Sequence, residues 1–203
     1  MTETKIPYHH GDLKPALIAA GIALLENDGL SGLSLRGIAA QVGVSHSAPK
    51  NHFGSLRGLL TAIAAEGFRR HAAFMREGVE DVGDPQARLH AAMQGYVRFA
   101  RQHPHLFELM FSPRHCDHDD ADLRAAGRDS YAVLAGIAKG LDWDKATAPG
   151  GQRRSEMMLW SLVHGYAKLQ LAGLFDDGPG GAGSSFSISD IMPGFSYRAA
   201  EVG

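Results

Sequence analysis

The chain has 203 residues, 44% of them hydrophobic and 21% charged, with a formal net charge of −2. That balance suits a globular protein with a sizeable core and excludes the low-hydrophobicity, high-charge profile of a disordered chain. A single cysteine excludes an internal disulfide framework, no apolar run approaches the roughly 18 to 20 residues that cross a bilayer, and the opening MTETKIPYHHGDL lacks a secretory h-region, so a cytoplasmic location is expected.

Charge is unevenly spread. Residues 1–77 carry eight Lys/Arg against six Asp/Glu, whereas the remaining 126 carry twelve against sixteen. Apolar residues recur at helical spacing almost throughout, and the pattern predicts an all-α chain of about eight helices. In GDLKPALIAAGIALLENDG, Leu13, Leu17, Ala20 and Leu24 share a stripe, Asp12 can cap the start and Gly29 can end it. SLRGIAAQVG is a short second helix with Ser34 as cap and Gly43 at its end. Ser45 can cap a third, in which Pro49 falls in the first turn or so and costs at most one backbone bond.

A longer helix is expected from about Ser55 to Glu77, carrying Leu59, Leu60, Ile63, Gly67 and Phe68. Asp84 and Pro85 start the next, which runs until Pro104. HLFELMF reads as a short apolar helix closed by Pro113, followed by helices near 121–141 and 152–174. DDGPGGAGSS at 176–185 reads as a linker, and Pro193 leaves the state of the last segment open.

Two short helices around the tight turn VGVS make a helix-turn-helix, whose second helix has a face free for a major groove. LSLRGIAAQ followed by GVSHSAPKNHF and an apolar helix resembles the N-terminal DNA-binding domain of TetR-family transcriptional regulators over about residues 9–68. Trp160 and the pair His164-Gly165 resemble the Trp…His-Gly pattern of one subgroup. The resemblance implies an N-terminal three-helix DNA-binding domain at 9–55 and a larger helical ligand-binding and dimerisation domain at 56–175. Residues 56–78 would form the connecting helix, and 176–203 a flexible linker and C-terminal segment. It carries over Ser45, His46, Ser47, Lys50, Asn51 and His52 as candidate DNA contacts, Arg36 and Arg57 as phosphate contacts, and Phe53 as packing. Two positions depart from the family pattern: Lys50 stands where a phosphate-contacting Tyr is usual, and Leu56 where a Lys is usual, with Arg57 one place later. The segment before the first helix, with Tyr8, His9 and His10, is expected to be a flexible arm.

The same serines and histidines do not read as a catalytic set. Nucleophilic catalysis needs a base within hydrogen-bond reach and a third group to orient it, yet no carboxylate lies between Asp28 and Glu66. No Gly-x-Ser-x-Gly elbow or phosphate loop occurs. The chain is therefore expected not to be an enzyme and to need no cofactor.

In SEMMLWSLVHGYAKLQLAGLF, Trp160, His164, Ala167, Leu171 and Leu174 form one stripe, and Leu159, Leu162, Tyr166 and Leu169 a second. Ser161, Gly165 and Ala172 are small and lie beside Lys168 on a third side, which predicts a helix with one face against a partner, by default in a homodimer. Met93, Tyr96, Phe99, Phe107, Met110, Phe111, Met157 and Trp160 could line a pocket for a largely apolar small molecule, with His164 supplying a hydrogen bond. His115, Cys116, Asp117, His118, Asp119 and Asp120 offer metal-ligand atoms, but no helical spacing aims them at one ion, so a solvated polar loop and no metal are expected. The resulting expectation is a ligand-responsive transcriptional repressor that binds a double-stranded DNA operator as a homodimer. The alternative is a helical dimeric ligand- or partner-binding module with weakened DNA binding.

Overall fold

A computed structural model of the chain describes residues 13–80, 82–141, 151–175 and 187–192. Asp12, the segment at 8–10 and the linker at 176–185 lie outside the described residues. Among those described, the regular elements are α1 (Leu13–Asp28), a 3-10 turn at Leu30–Gly32, α2 (Leu35–Val42), α3 (Ala48–Phe53), α4 (Leu56–Arg76), α5 (Pro85–Gln102), α6 (Pro104–Met110), α7 (Ala121–Ala138), α8 (Gly151–Leu171) and α9 (Ile188–Ile191). Sequence punctuation accounts for most of these ends. Gly29 ends α1 with φ 67°, Asp84 accepts from the Ala87 amide at 2.9 Å to start α5, and Pro85 fills its first turn.

The described residues pack as two units: those up to Gly67 together with His105–Arg124, and Phe68–Pro104 together with those from Ala125 onward. In the first unit, Leu17 and Leu25 of α1, Ile38 and Ala39 of α2, Leu59, Leu60 and Ile63 of α4, and Leu106 and Phe107 of α6 are buried. Each such large side chain contributes on the order of 1.5–3 kcal/mol of hydrophobic stabilisation. α6 is tied in by polar contacts as well: the Glu26 carboxylate accepts the Leu106 amide at 2.9 Å. A Cβ on Gly58 would run into the Phe53 carbonyl oxygen, so glycine there allows α4 to begin directly behind α3.

In the second unit, α5 packs on α8, burying Leu89, Met93, Tyr96 and Ala100 together with Leu159, Val163 and Ala167. A Cβ on Gly95 would strike the Phe74 carbonyl oxygen, so α4 and α5 approach backbone to backbone. The described residues after the linker form α9, which packs on α5 with Ile188 buried.

Two local expectations need correction. The buried face of α8 is Ser155, Leu159, Val163, Tyr166 and Ala167, while Leu169 and Leu174, placed in apolar stripes from the sequence, are 44% and 58% exposed. A single face meets the described helices of the chain. The 115–120 segment is not solvated throughout. Cys116 is fully buried, its thiol donating to the Leu109 and Leu60 carbonyls at 3.6 and 3.7 Å, while Asp120 caps α7 by accepting the Leu123 amide at 2.9 Å. Burial pushes the Cys116 thiol up to about 11, with the Arg57 charge opposing, so it stays protonated.

Candidate nucleic-acid interface and sensing core

The interface is assembled by caps. Ser34 accepts the Gly37 amide at 3.1 Å and starts α2. At the other end Gly43 takes the left-handed conformation (φ 75°, ψ 31°), and the amides of Gly43 and Val44 return to the Ala40 and Ala39 carbonyls at 3.2 and 3.0 Å. These paired bonds are a Schellman closure, which leaves the last carbonyls of α2 satisfied and turns the chain sharply. α3 then begins later than expected. Ser45 does not cap it; its hydroxyl bonds to that of Ser47 at 3.2 Å, and Ser47 stands at the N-cap with no side-chain cap bond. Pro49 falls at the second helical position, where it needs no amide partner, and is itself buried.

The outcome is an exposed polar face. Arg36, Ser45, His46, Ser47, Lys50, Asn51 and His52 are all exposed, and Arg36, His46, Lys50, Asn51 and His52 make no side-chain hydrogen bond among the described residues. Phe53 is half-buried, with the Lys14 ammonium 5.8 Å from its ring centroid, which fits a packing role. Arg57 is engaged differently: its Nη2 donates to the Cys116 carbonyl at 3.0 Å. Four residues on, the Thr61 hydroxyl accepts the Asp117 amide at 2.9 Å. The segment after α6 is thus pinned to the first turns of α4.

In the second unit three of the residues picked out for a ligand meet at one node. The Tyr96 hydroxyl and His164 Nδ1 are hydrogen-bonded at 2.8 Å, and the Trp160 and His164 rings lie 6.5 Å apart edge to face. Burial pushes the Tyr96 phenol up, with a hydrogen bond from Trp160 acting the other way. Met93 and Phe99 are buried beside Tyr96 on α5, whereas Met157 is 40% exposed. Phe107, Met110 and Phe111 belong to the first unit, with the Phe107 and Phe111 rings 5.2 Å apart.

His71 and Ser130 also belong to this node and were missed from sequence. The His71 ring stands edge-on to Tyr96 at 4.3 Å, and its Nδ1 bonds to the Ser130 hydroxyl at 2.8 Å. Burial, with the nearby His164 charge adding to it, lowers the His71 pKa to about 3, so the imidazole is neutral at physiological pH. A signal was present, since Ile63, Gly67 and His71 recur at four-residue steps on one buried stripe of α4. Among the described residues, no three His, Cys, Asp or Glu side chains are grouped to hold a metal ion. None of the described helices is long and apolar enough to cross a membrane.

Comparison with known proteins bears on this geometry. A family model described as "Tetracyclin repressor-like, C-terminal domain" matches residues 89–188, which takes in the Tyr96–Trp160–His164 node. An uncharacterised HTH-type transcriptional regulator of Mycobacterium tuberculosis is 24% identical over 169 residues, 81% of this chain and 72% of that protein. The chain belongs to the TetR family. It is accordingly a DNA-binding transcriptional regulator. Solved structures agree on the fold. A protein of unknown function from Rhodococcus sp. RHA1 is 34% identical with a TM-score of 0.71, covering 86% of this chain and 91% of that one. A possible TetR family transcriptional regulator from Streptomyces coelicolor A3(2) is 19% identical with a TM-score of 0.57, covering 84% and 75%.

Proposed function

We propose that this TetR-family chain is a cytoplasmic homodimeric repressor without catalytic activity, released from its operator by a largely apolar small molecule. The observation that carries the reading is the α2–turn–α3 face, where Arg36, His46, Lys50, Asn51 and His52 stand exposed with no hydrogen-bond partner among the described residues. Lys50 and Arg36 are phosphate contacts in this reading. Ser45, His46, Ser47, Asn51 and His52 address base edges or backbone oxygens in the major groove. Arg57 contributes through the guanidinium donors that Cys116 leaves unused. Functionally, residues 9–55 read DNA and residues 56–175 sense and dimerise.

The ligand would be held around Met93, Tyr96, Phe99, Met157, Trp160 and His164, all within the second unit. Coupling needs a path to the reader. Glu26–Leu106, Arg57–Cys116 and Thr61–Asp117 support one, because any shift of α6 or the segment after it pulls on α1 and α4 directly. To empty the operator, the ligand need only favour the released arrangement by a few kcal/mol.

Dimerisation would use the outer face of α8, where Met158, Ser161, Leu169 and Ala172 are exposed and a Cβ on Gly165 would meet nothing within 4 Å. Two copies would present α3 to successive major grooves about 34–36 Å apart. The test is binding to duplex DNA from the gene's own upstream region against a scrambled duplex, at two salt concentrations. Specific binding should exceed non-specific by roughly a thousandfold or more, and both should weaken with salt. Gly165→Arg should convert a dimer to a monomer by light scattering and abolish the preference. Equal binding to both duplexes, or an intact dimer in Gly165→Arg, overturns the corresponding part.

A further inference from the structure

The face of α5 turned away from the Tyr96 node lines a cleft of about 410 Å³, closed by α8 and α9. Its α5 wall is Gln94, Val97, Arg98 and Arg101, at the i, i+3, i+4 and i+7 spacing of one helix face. The opposite wall includes Tyr166 and Gln170 of α8. None of these residues belongs to the sensing core, and the volume falls within the range of small-molecule sites.

Two features make this more than a surface groove. The first is a buried polar atom: among the described residues the Gln170 side-chain carbonyl oxygen has no access to solvent and no hydrogen-bond partner. Such an atom forfeits its hydration without compensation, a cost a bound donor would remove. The second is a cation that no described residue pairs with a counter-charge. Arg98 is paired with Glu77 and stacked on Phe74, and the Asp190 carboxylate is held by the Ser187 amide and hydroxyl at 2.8 and 2.7 Å. Among the described residues Arg101 has neither an ion pair nor a side-chain hydrogen bond. Meanwhile Gln94 donates to the Ser189 hydroxyl at 3.1 Å, which anchors α9 as the third wall.

We propose that this cleft binds a small hydroxylated carboxylic acid. The carboxylate pairs with Arg101, a turn of the Gln170 side chain brings its amide end out to the hydroxyl, and the carbon body lies on Val97 and Ile188 of the lining. A hydroxyl both donates and accepts, so it satisfies that end in either orientation of the amide. The site stands apart from the operator-release reading, and its test involves no DNA.

The experiment is calorimetric titration of the full chain with 4-hydroxybenzoate and with benzoate, the second lacking the hydroxyl. 4-Hydroxybenzoate should bind saturably at one per chain and roughly fivefold or more tighter than benzoate. Arg101→Gln should weaken both acids by roughly tenfold or more, as expected for loss of a charge-assisted bond. Arg128→Gln, which removes an exposed charge of α7 outside the cleft, should leave binding unchanged. Gln170→Leu should erase the preference between the two acids while benzoate still binds, a readout that a folding defect would not mimic. No saturable binding of either acid, equal affinities in Arg101→Gln and Arg128→Gln, or a preference that survives Gln170→Leu each overturns the proposal.

Discussion

The polar groups of α2–α3 and those of the α4–α5–α8 core are arranged in opposite ways. Around α3, Lys50, Asn51, His46 and His52 are exposed and make no side-chain hydrogen bonds among the described residues. In the core, His71 bonds to Ser130 and Tyr96 to His164, each at 2.8 Å. An exposed, uncommitted donor costs the fold nothing and is available to a partner. A buried one must be satisfied internally, or it costs roughly 1–3 kcal/mol. The first set is therefore separable from stability and the second is not. The polar groups of α3 can be changed without touching the fold, whereas the core couples any change in its polar groups to folding.

The sharpest way to break this contrast is the double substitution Lys50→Ala with Asn51→Ala. With Lys50 on a phosphate and Asn51 on a base edge, as proposed, removing both should lower operator affinity by about a hundredfold. The slope of log affinity against log salt should flatten by about 0.9, the share of one phosphate. Urea unfolding should stay within about 0.5 kcal/mol of the unmodified chain. A large stability loss beside intact affinity would reverse the assignment of these residues.

The core makes the converse claim through pH. His71 titrates at about 3 when folded, against an ordinary value of 6.5. Between those values the unfolded chain binds the extra proton, so stability rises with pH. The contribution of neutral His71 is thus complete above about pH 6.5 and is lost as pH falls towards 3. By pH 5 the loss should be about 2 kcal/mol. His71→Gln cannot titrate and should flatten that part of the urea-midpoint profile. A profile with the same slope in both chains would mean that other groups govern acid unfolding. Operator affinity at neutral pH should be alike in the two chains.

Which parts were legible in the sequence follows the same division. Ser34, Gly43 and the Asp84-Pro85 start of α5 act within four residues of themselves, and each performs the role its local chemistry suggests. The exposed set on α3 was legible because its surrounding pattern is a known motif. Its helix start was misplaced because the Ser45 hydroxyl bonds to that of Ser47 and caps nothing. Distant pairings were not legible. His71 meets Ser130 across 59 residues, and Cys116 turns inward onto the Leu60 carbonyl across 56. Nothing local marks either one, beyond the four-residue step that puts His71 in line with Ile63. Leu169 and Leu174 misled for a related reason: an apolar residue looks the same whether it faces its own chain or another.

The smallest expected effect sharpens the comparison at its boundary, because Ser34 is exposed yet structural. Its hydroxyl accepts the Gly37 amide, and it begins the helix that sets the turn before α3. Ser34→Ala should cost about 1 kcal/mol in urea unfolding, the usual value of an N-cap. Fraying of the first turn of α2 leaves Gly43 and the α3 face intact, so operator affinity should change by no more than about twofold, since a one-kilocalorie loss confined to folding leaves nearly all molecules native. A loss beyond tenfold at unchanged stability would move Ser34 into the contact set, with its hydroxyl on a phosphate rather than on Gly37. Ser34→Asp separates the two roles. It restores the cap, but its negative charge repels a phosphate, so a stable chain with normal affinity would assign Ser34 to the scaffold alone.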